Sequence, residues 1–160
     1  MKELVNYTAT FFAPHCALTR REHIKAIGGF NEALKGTEDW YFWVHLAAYN
    51  VVFYHLDEVL VWTRMHGEQL SRKALTMAYA RLKAYEALRD LPIPPDVIDL
   101  DREIAGRHHM VAIKLWETGQ RAEARKYLLS AIHLDHHGRL NRLFAKSPLQ
   151  RRIPLLSLAQ

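Results

Sequence analysis

The sequence holds one cysteine, Cys16, so no internal disulfide can form and a reducing compartment is favoured. No apolar run approaches the ~20 residues needed to cross a bilayer. The N-terminus is without the basic, apolar and small-residue order of a signal peptide. A cytoplasmic protein is expected. There is no Gly-rich phosphate loop, no Cys-x-x-Cys pair and no Gly-x-Ser-x-Gly elbow. The glycines of "AIGGF" do not have the spacing of a dinucleotide fingerprint. Zinc-finger and RNA-recognition signatures are also missing, and no broad basic face is seen, so nucleic acid is not an expected partner.

What is present is apolar surface. Hydrophobic residues make up 49% of the 160 positions, enough for one domain with a sizeable core. The net charge of +5 is carried by the end of the chain. Arg139, Arg142, Lys146, Arg151 and Arg152 follow His137 with no acid among them, which leaves the preceding residues balanced. These cations alternate with leucines, and Pro148 and Pro154 forbid one long helix. Residues 139–160 therefore read as a basic apolar tail, suited to peripheral contact with an anionic membrane surface or to folding back onto the rest of the chain.

Local patterns divide the chain into residues 1–66, mixed α and β, and 67–138, helical. "NYTATFFAPHCAL" (6–18) reads as an extended segment interrupted at Pro14, with Cys16 a small core residue. Thr19 and Glu22 form a capping-box pattern ahead of a short helix over about 20–27, and Gly28 suits the left-handed position that ends it. A turn-rich loop leads to the helix "EDWYFWVHLAAYN", which Asn50 can end. "VVFYHL" and "VLVWTRMH" have the Val and aromatic content of two strands, separated by Asp57-Glu58. Such strands need others to pair with. A helical period runs from Glu68, with Leu70, Ala74, Ala78, Leu82 and Tyr85 as its stripe. A second helix is expected over about 95–118, striped by Val97, Leu100, Ile104, His108, Val111 and Leu115. A third is expected over about 121–134, with Ala124, Tyr127, Leu128 and Ala131 inward. The last two resemble one tetratricopeptide-type helical hairpin, a single unit rather than a solenoid. His133, His136 and His137 have a metal-ligand spacing, but imidazolium near a helix C-terminus is ordinary electrostatics.

The stretch "GTEDW" (36–40) stands out. Its ordinary reading is a helix start, where each acid gains about 0.3–1 kcal/mol from the helix dipole. Its chemical reading is a base at the mouth of a cleft. For the rings of Trp40, Tyr41 and Trp43 the ordinary reading is core packing, and the chemical one is a wall on which flat sugar faces stack. Arg64 and His66 are two apart, so on an extended segment they point the same way.

The order of these pieces carries a resemblance: a short helix, Gly-Gly-Phe-Asn-Glu at 28–32, Glu38-Asp39 opening an aromatic helix, two extended segments, then Arg64-x-His66 followed by Ser71. Over about residues 6–75 it resembles the C-terminal half of the catalytic domain of family 2 glycosyltransferases. The resemblance implies an α/β fold, the acceptor-side part of a GT-A domain, followed by an α-helical extension. It implies inverting transfer of a sugar from a nucleotide-diphosphate-sugar donor to a glycan or lipid-linked acceptor. Asp39 would be the catalytic base, with Glu38 beside it orienting acceptor or backbone. Trp40 and Trp43 would bind acceptor. Arg64, Ser71 and Arg72 would bind the donor diphosphate, and His66 would ligate a divalent cation, Mn or Mg. The family's nucleotide-binding strands and Asp-x-Asp motif do not occur in residues 1–66, so the chain is expected to be inactive without a donor-binding half. The alternative is a non-catalytic helical interaction module that carries a decayed transferase remnant.

Overall fold

The computed structural model describes residues 1–5, 14–62, 64 and 73–135. They fall in two compact units, Met1–Asp99 and Leu100–Gln160. The first unit contains α1 (Lys2–Val5), α2 (Arg21–Ala26), α3 (Glu38–Ala48) and α4 (Ala74–Ala87), with 3-10 turns at Pro14–Cys16 and Leu88–Asp90. The second contains α5 (Leu100–Glu117) and α6 (Arg121–Leu134).

The α/β expectation is corrected here. The described residues form helices and turns, and none of them is in a strand. Residues 51–62 have the composition of strands but run as irregular chain. A strand exists only through a neighbour that accepts its ladder bonds, and the described residues supply none. Pro14–Cys16 is likewise a 3-10 turn rather than extended chain, and Cys16 is exposed rather than in the core. The remainder of the first expected extended segment, residues 6–13, lies outside the described residues. So do His136, His137 and the tail at 139–160.

The centre of the first unit is α3. It is apolar around its whole circumference, with Trp40, Tyr41, Phe42, Trp43, Val44, Leu46, Ala47 and Ala48 all buried, and such a helix must be covered on every side. On one side the Trp40 ring stacks on Tyr85 of α4 with centroids 4.8 Å apart. The indole Nε1–H of Trp40 donates to the Leu4 carbonyl at 2.9 Å, and the Tyr85 hydroxyl donates to the Val5 carbonyl at 2.7 Å. These are C-terminal carbonyls of α1, which have no partner within their own helix. On another side Phe42, Trp43 and Leu46 pack with Ala17, Ile24, Ile27 and Val51, and Phe30 stacks on Phe42 at 4.3 Å.

The helix ends follow local chemistry. After α2, Gly28 takes φ 76°. The Gly29 amide then reaches the Ile24 carbonyl at 3.0 Å, and the Gly28 amide reaches that of Lys25 at 3.2 Å. This is the paired closure of a Schellman motif. Asn50 repeats it after α3 at φ 60°, with Val51 N–H on the Leu46 carbonyl at 3.1 Å and the Val51 side chain packed in the same cluster as Leu46. The expected capping box at Thr19 does not form. Arg20 is the N-cap of α2 and makes no side-chain cap bond.

In the second unit α5 turns at Thr118–Gln120 into α6. Ala105 and Ala112 of α5 pack with Leu128 and Ala131 of α6, the small residues letting the backbones approach. α6 has the bounds its periodicity predicts. α5 begins at Leu100 rather than near Pro95, because Pro94–Val97 closes a turn of its own, with the Val97 amide on the Pro94 carbonyl at 3.0 Å.

Candidate functional site

The acidic pair opens α3, as the sequence indicates. Thr37 is its N-cap, yet the Thr37 hydroxyl does not cap. It is buried and donates instead to the Ala80 carbonyl of α4 at 3.2 Å. The Thr37 hydroxyl therefore satisfies none of the first-turn amides. Asp39 Oδ1 accepts from the Trp40 amide at 2.7 Å. Glu38 Oε2 accepts from the Gly36 amide. Both acids are thus held by backbone at the rim of an aromatic core.

Asp39 is the more perturbed of the two. Its half-buried position raises its pKa above the ordinary 3.8, and the charge of Glu38 pushes the same way. The Trp40 amide opposes both, but burial is the largest effect. A carboxylate shifted upward is a better proton acceptor than one in water.

Other sequence-indicated residues are placed differently. Trp40 and Trp43 are buried, at 1% and 3% exposure. In this structure their rings pack the core, and the Trp40 indole nitrogen is engaged with α1. They present no open face for a sugar. Arg64 is exposed. His66, Ser71 and Arg72 lie outside the described residues. The geometry thus brings Glu38 and Asp39 together on the first turn of α3, beside the rings they precede. Among the described residues no group of three or more His, Cys, Asp or Glu side chains could hold a metal ion.

Near this helix, sequence reasoning weighed the ring of Tyr41 but passed over Thr37, His45 and Tyr49. Thr37 fixes the start of α3 to α4 through its hydroxyl. Tyr41, His45 and Tyr49 form a ladder of rings with centroid spacings of 5.7 and 5.3 Å. Burial raises the Tyr41 pKa, as does the nearby charge of Asp90, while burial lowers that of His45. The i, i+4 spacing of these rings is visible in the sequence. The role of Thr37 is not, because its partner is 43 residues away.

No helix among the described residues is long and apolar enough to cross a membrane. No family model matches the chain, and neither a curated protein nor a solved structure matches it.

Proposed function

We propose that this chain supplies the acceptor-side, base-bearing part of an inverting glycosyltransferase, with Asp39 as the base. The observation that supports this most is the state of Asp39: a carboxylate at a helix start, half-buried, with a raised pKa. The resemblance of 28–32, 38–39 and 64–71 to family 2 enzymes gives that carboxylate its reaction. The acceptor hydroxyl oxygen attacks the anomeric carbon and a new C–O bond forms. The bond from that carbon to the diphosphate breaks, and the nucleoside diphosphate leaves with the electron pair. The acceptor proton passes to the Asp39 carboxylate. Glu38, tied to the Gly36 amide, sets the position of the turn. In this reading Arg64, Ser71 and Arg72 would meet the donor diphosphate and His66 the Mn or Mg ion that the resemblance implies, completed by a donor-binding segment that carries the Asp-x-Asp motif.

The expected pH profile follows from the sign of the shift. Asp39 must be ionised to accept a proton. With the donor-binding segment supplied, turnover should fall as the pH drops through the Asp39 pKa, which lies above 3.8. In Asp39→Glu that acid limb should move, because the longer side chain leaves the half-buried position. A profile whose acid limb is identical in Asp39→Glu and wild type would assign the limb, and the base, to another group.

The second reading, a helical interaction module, draws on a different feature, the exposed apolar segment that follows α3.

A further inference from the structure

The chain between α2 and α3 is tied to α4 at two points. The Thr37 hydroxyl donates to the Ala80 carbonyl at 3.2 Å, and the Lys83 ammonium donates to the Ala33 carbonyl at 2.8 Å. Ala80 and Lys83 are about one turn apart on α4. The two bonds therefore hold both ends of one short run, residues 33–37. Leu34, inside that run, is 2% exposed. The run is also closed on itself. The Leu34 amide reaches the Asn31 carbonyl at 3.0 Å, and Asn31 Oδ1 accepts from the Ala33 amide at 3.0 Å. Gly36 supplies a left-handed residue, φ 88°, just ahead of Thr37. Thr37 then joins two helices. Its carbonyl accepts from the Tyr41 amide at 3.0 Å, the first bond of α3, while its hydroxyl is on α4. A threonine at an N-cap ordinarily turns its hydroxyl to its own helix.

We infer that Thr37 and Lys83 are positioning residues for Asp39: they fasten residues 33–37 to α4, and α4 thereby sets where the first turn of α3 holds the Asp39 carboxylate. The inference rests on the reading of Asp39 as the base. Asp39 follows Thr37 by two residues, and its Oδ1 is held by the Trp40 amide, so the carboxylate moves with the backbone of this turn. A general base acts only within hydrogen-bond reach of the proton it takes, and a displacement of about 1 Å can cost on the order of 10²-fold in rate. Glu38 does not supply the same support. It reaches back to Gly36, within the fastened run, and so ties the turn to itself. Trp40 anchors α3 just beyond Asp39, through its stacking on Tyr85 and its bond to Leu4. Asp39 thus lies between two anchors, Thr37 before it and Trp40 after it. Of the two clamp residues Thr37 carries more. It is buried, whereas the Lys83 bond is exposed and water competes for its ammonium.

NMR titration of the Asp39 carboxyl in the 160-residue chain tests the clamp without any transfer reaction. Thr37→Val keeps the shape and removes the donor, and Lys83→Met keeps the stem and removes the donor. Thr37→Ser retains the hydroxyl. Tyr85→Phe retains the clamp and loosens the core elsewhere, by losing the bond to the Val5 carbonyl. Circular dichroism verifies that each variant is folded. Releasing the turn admits water to the half-buried carboxyl, so in Thr37→Val the Asp39 pKa should fall toward 3.8. Lys83→Met should show a smaller fall, and Thr37→Ser and Tyr85→Phe none. In the completed enzyme Thr37→Val should lower kcat by about 10–100-fold with the donor KM unchanged. An Asp39 titration that is the same in Thr37→Val as in the wild type overturns the inference. So does an equal shift in Tyr85→Phe, which would make the shift a consequence of lost stability. If Thr37→Val does not fold, an unshifted Lys83→Met overturns the inference in its place. A completed wild type that transfers no sugar would count against the reaction, while the titration, read in the chain alone, still decides the clamp.

Discussion

Asp39→Asn should lower turnover by about 10²–10⁴-fold, the range over which a positioned general base acts, while raising the stability of the folded chain at neutral pH. The first effect follows from removing the proton acceptor. Asn keeps the shape and an oxygen that can still accept from the Trp40 amide, so donor binding should be largely unaffected. The second effect follows from linkage. A carboxyl whose pKa is higher in the folded than in the unfolded state binds its proton more tightly when folded. Its contribution favours folding below its unfolded pKa and is lost as the pH rises through the folded one. At neutral pH the ionised Asp39 therefore opposes folding, and a neutral amide relieves that cost. A simple helix-start role predicts the reverse, a loss of about 0.3–1 kcal/mol with the charge–dipole attraction. Urea unfolding of the 160-residue chain and turnover of the completed enzyme read the two effects separately. Near-wild-type turnover, or a fall in stability at neutral pH, would return Asp39 to the role of a helix-start residue. Glu38→Gln should be milder in turnover, since an amide oxygen can still accept from Gly36.

Trp40→Ala should destabilise the first unit by about 3–5 kcal/mol, the cost of truncating a buried large aromatic. Trp40 joins three helices. Its ring stacks on Tyr85 of α4, its indole N–H holds the Leu4 carbonyl of α1, and it follows the acids that open α3. Truncation leaves a cavity and also strands a polar carbonyl. Tyr85→Phe gives the smaller companion effect, about 1–3 kcal/mol, because only the hydroxyl that reaches the Val5 carbonyl is lost. Chemical unfolding monitored by circular dichroism measures both. A change below about 1 kcal/mol for Trp40→Ala would mean that the ring is not the anchor of this core.

The sequence is most informative where structure is local. Gly28 and Asn50 end their helices at the places their chemistry indicates, since a left-handed residue and two backbone bonds are all that a Schellman closure requires. α6 is legible from spacing alone, because its inward Ala124, Leu128 and Ala131 recur at helical intervals. Where a partner distant in sequence decides, the sequence is silent. Residues 51–62 have strand composition, but a ladder requires a neighbour, and among the described residues there is none. Ala105 and Ala112 fall outside the bulky stripe read from α5, yet they are buried because α6 lies on them. His108 of the stripe is half-buried with its ring 5.6 Å from that of Tyr127 in α6, and its neighbour His109, outside the stripe, is buried as well, so that burial lowers the His109 pKa.

The candidate site divides in the same way. Glu38 and Asp39 are legible as first-turn acids, and the raised pKa of Asp39 depends on how deeply the following rings carry it into the core. The placement of Trp40 and Trp43 was open in the sequence. An all-apolar helix has no periodicity to distinguish a ring that packs from a ring that binds. The Thr37 hydroxyl, which does not cap the first turn, is set by its long-range bond to α4.

Inversion at the anomeric carbon with Asp39 as the base is the central claim. It is tested most directly by the stereochemistry of the product. The chain is completed with a donor-binding segment that carries an Asp-x-Asp motif, given a panel of nucleotide-diphosphate sugars and glycan acceptors, and the anomeric configuration of each product is read by NMR. The account predicts transfer with inverted configuration that disappears in Asp39→Asn. Retained configuration, or inverted transfer that survives in Asp39→Asn, would contradict it.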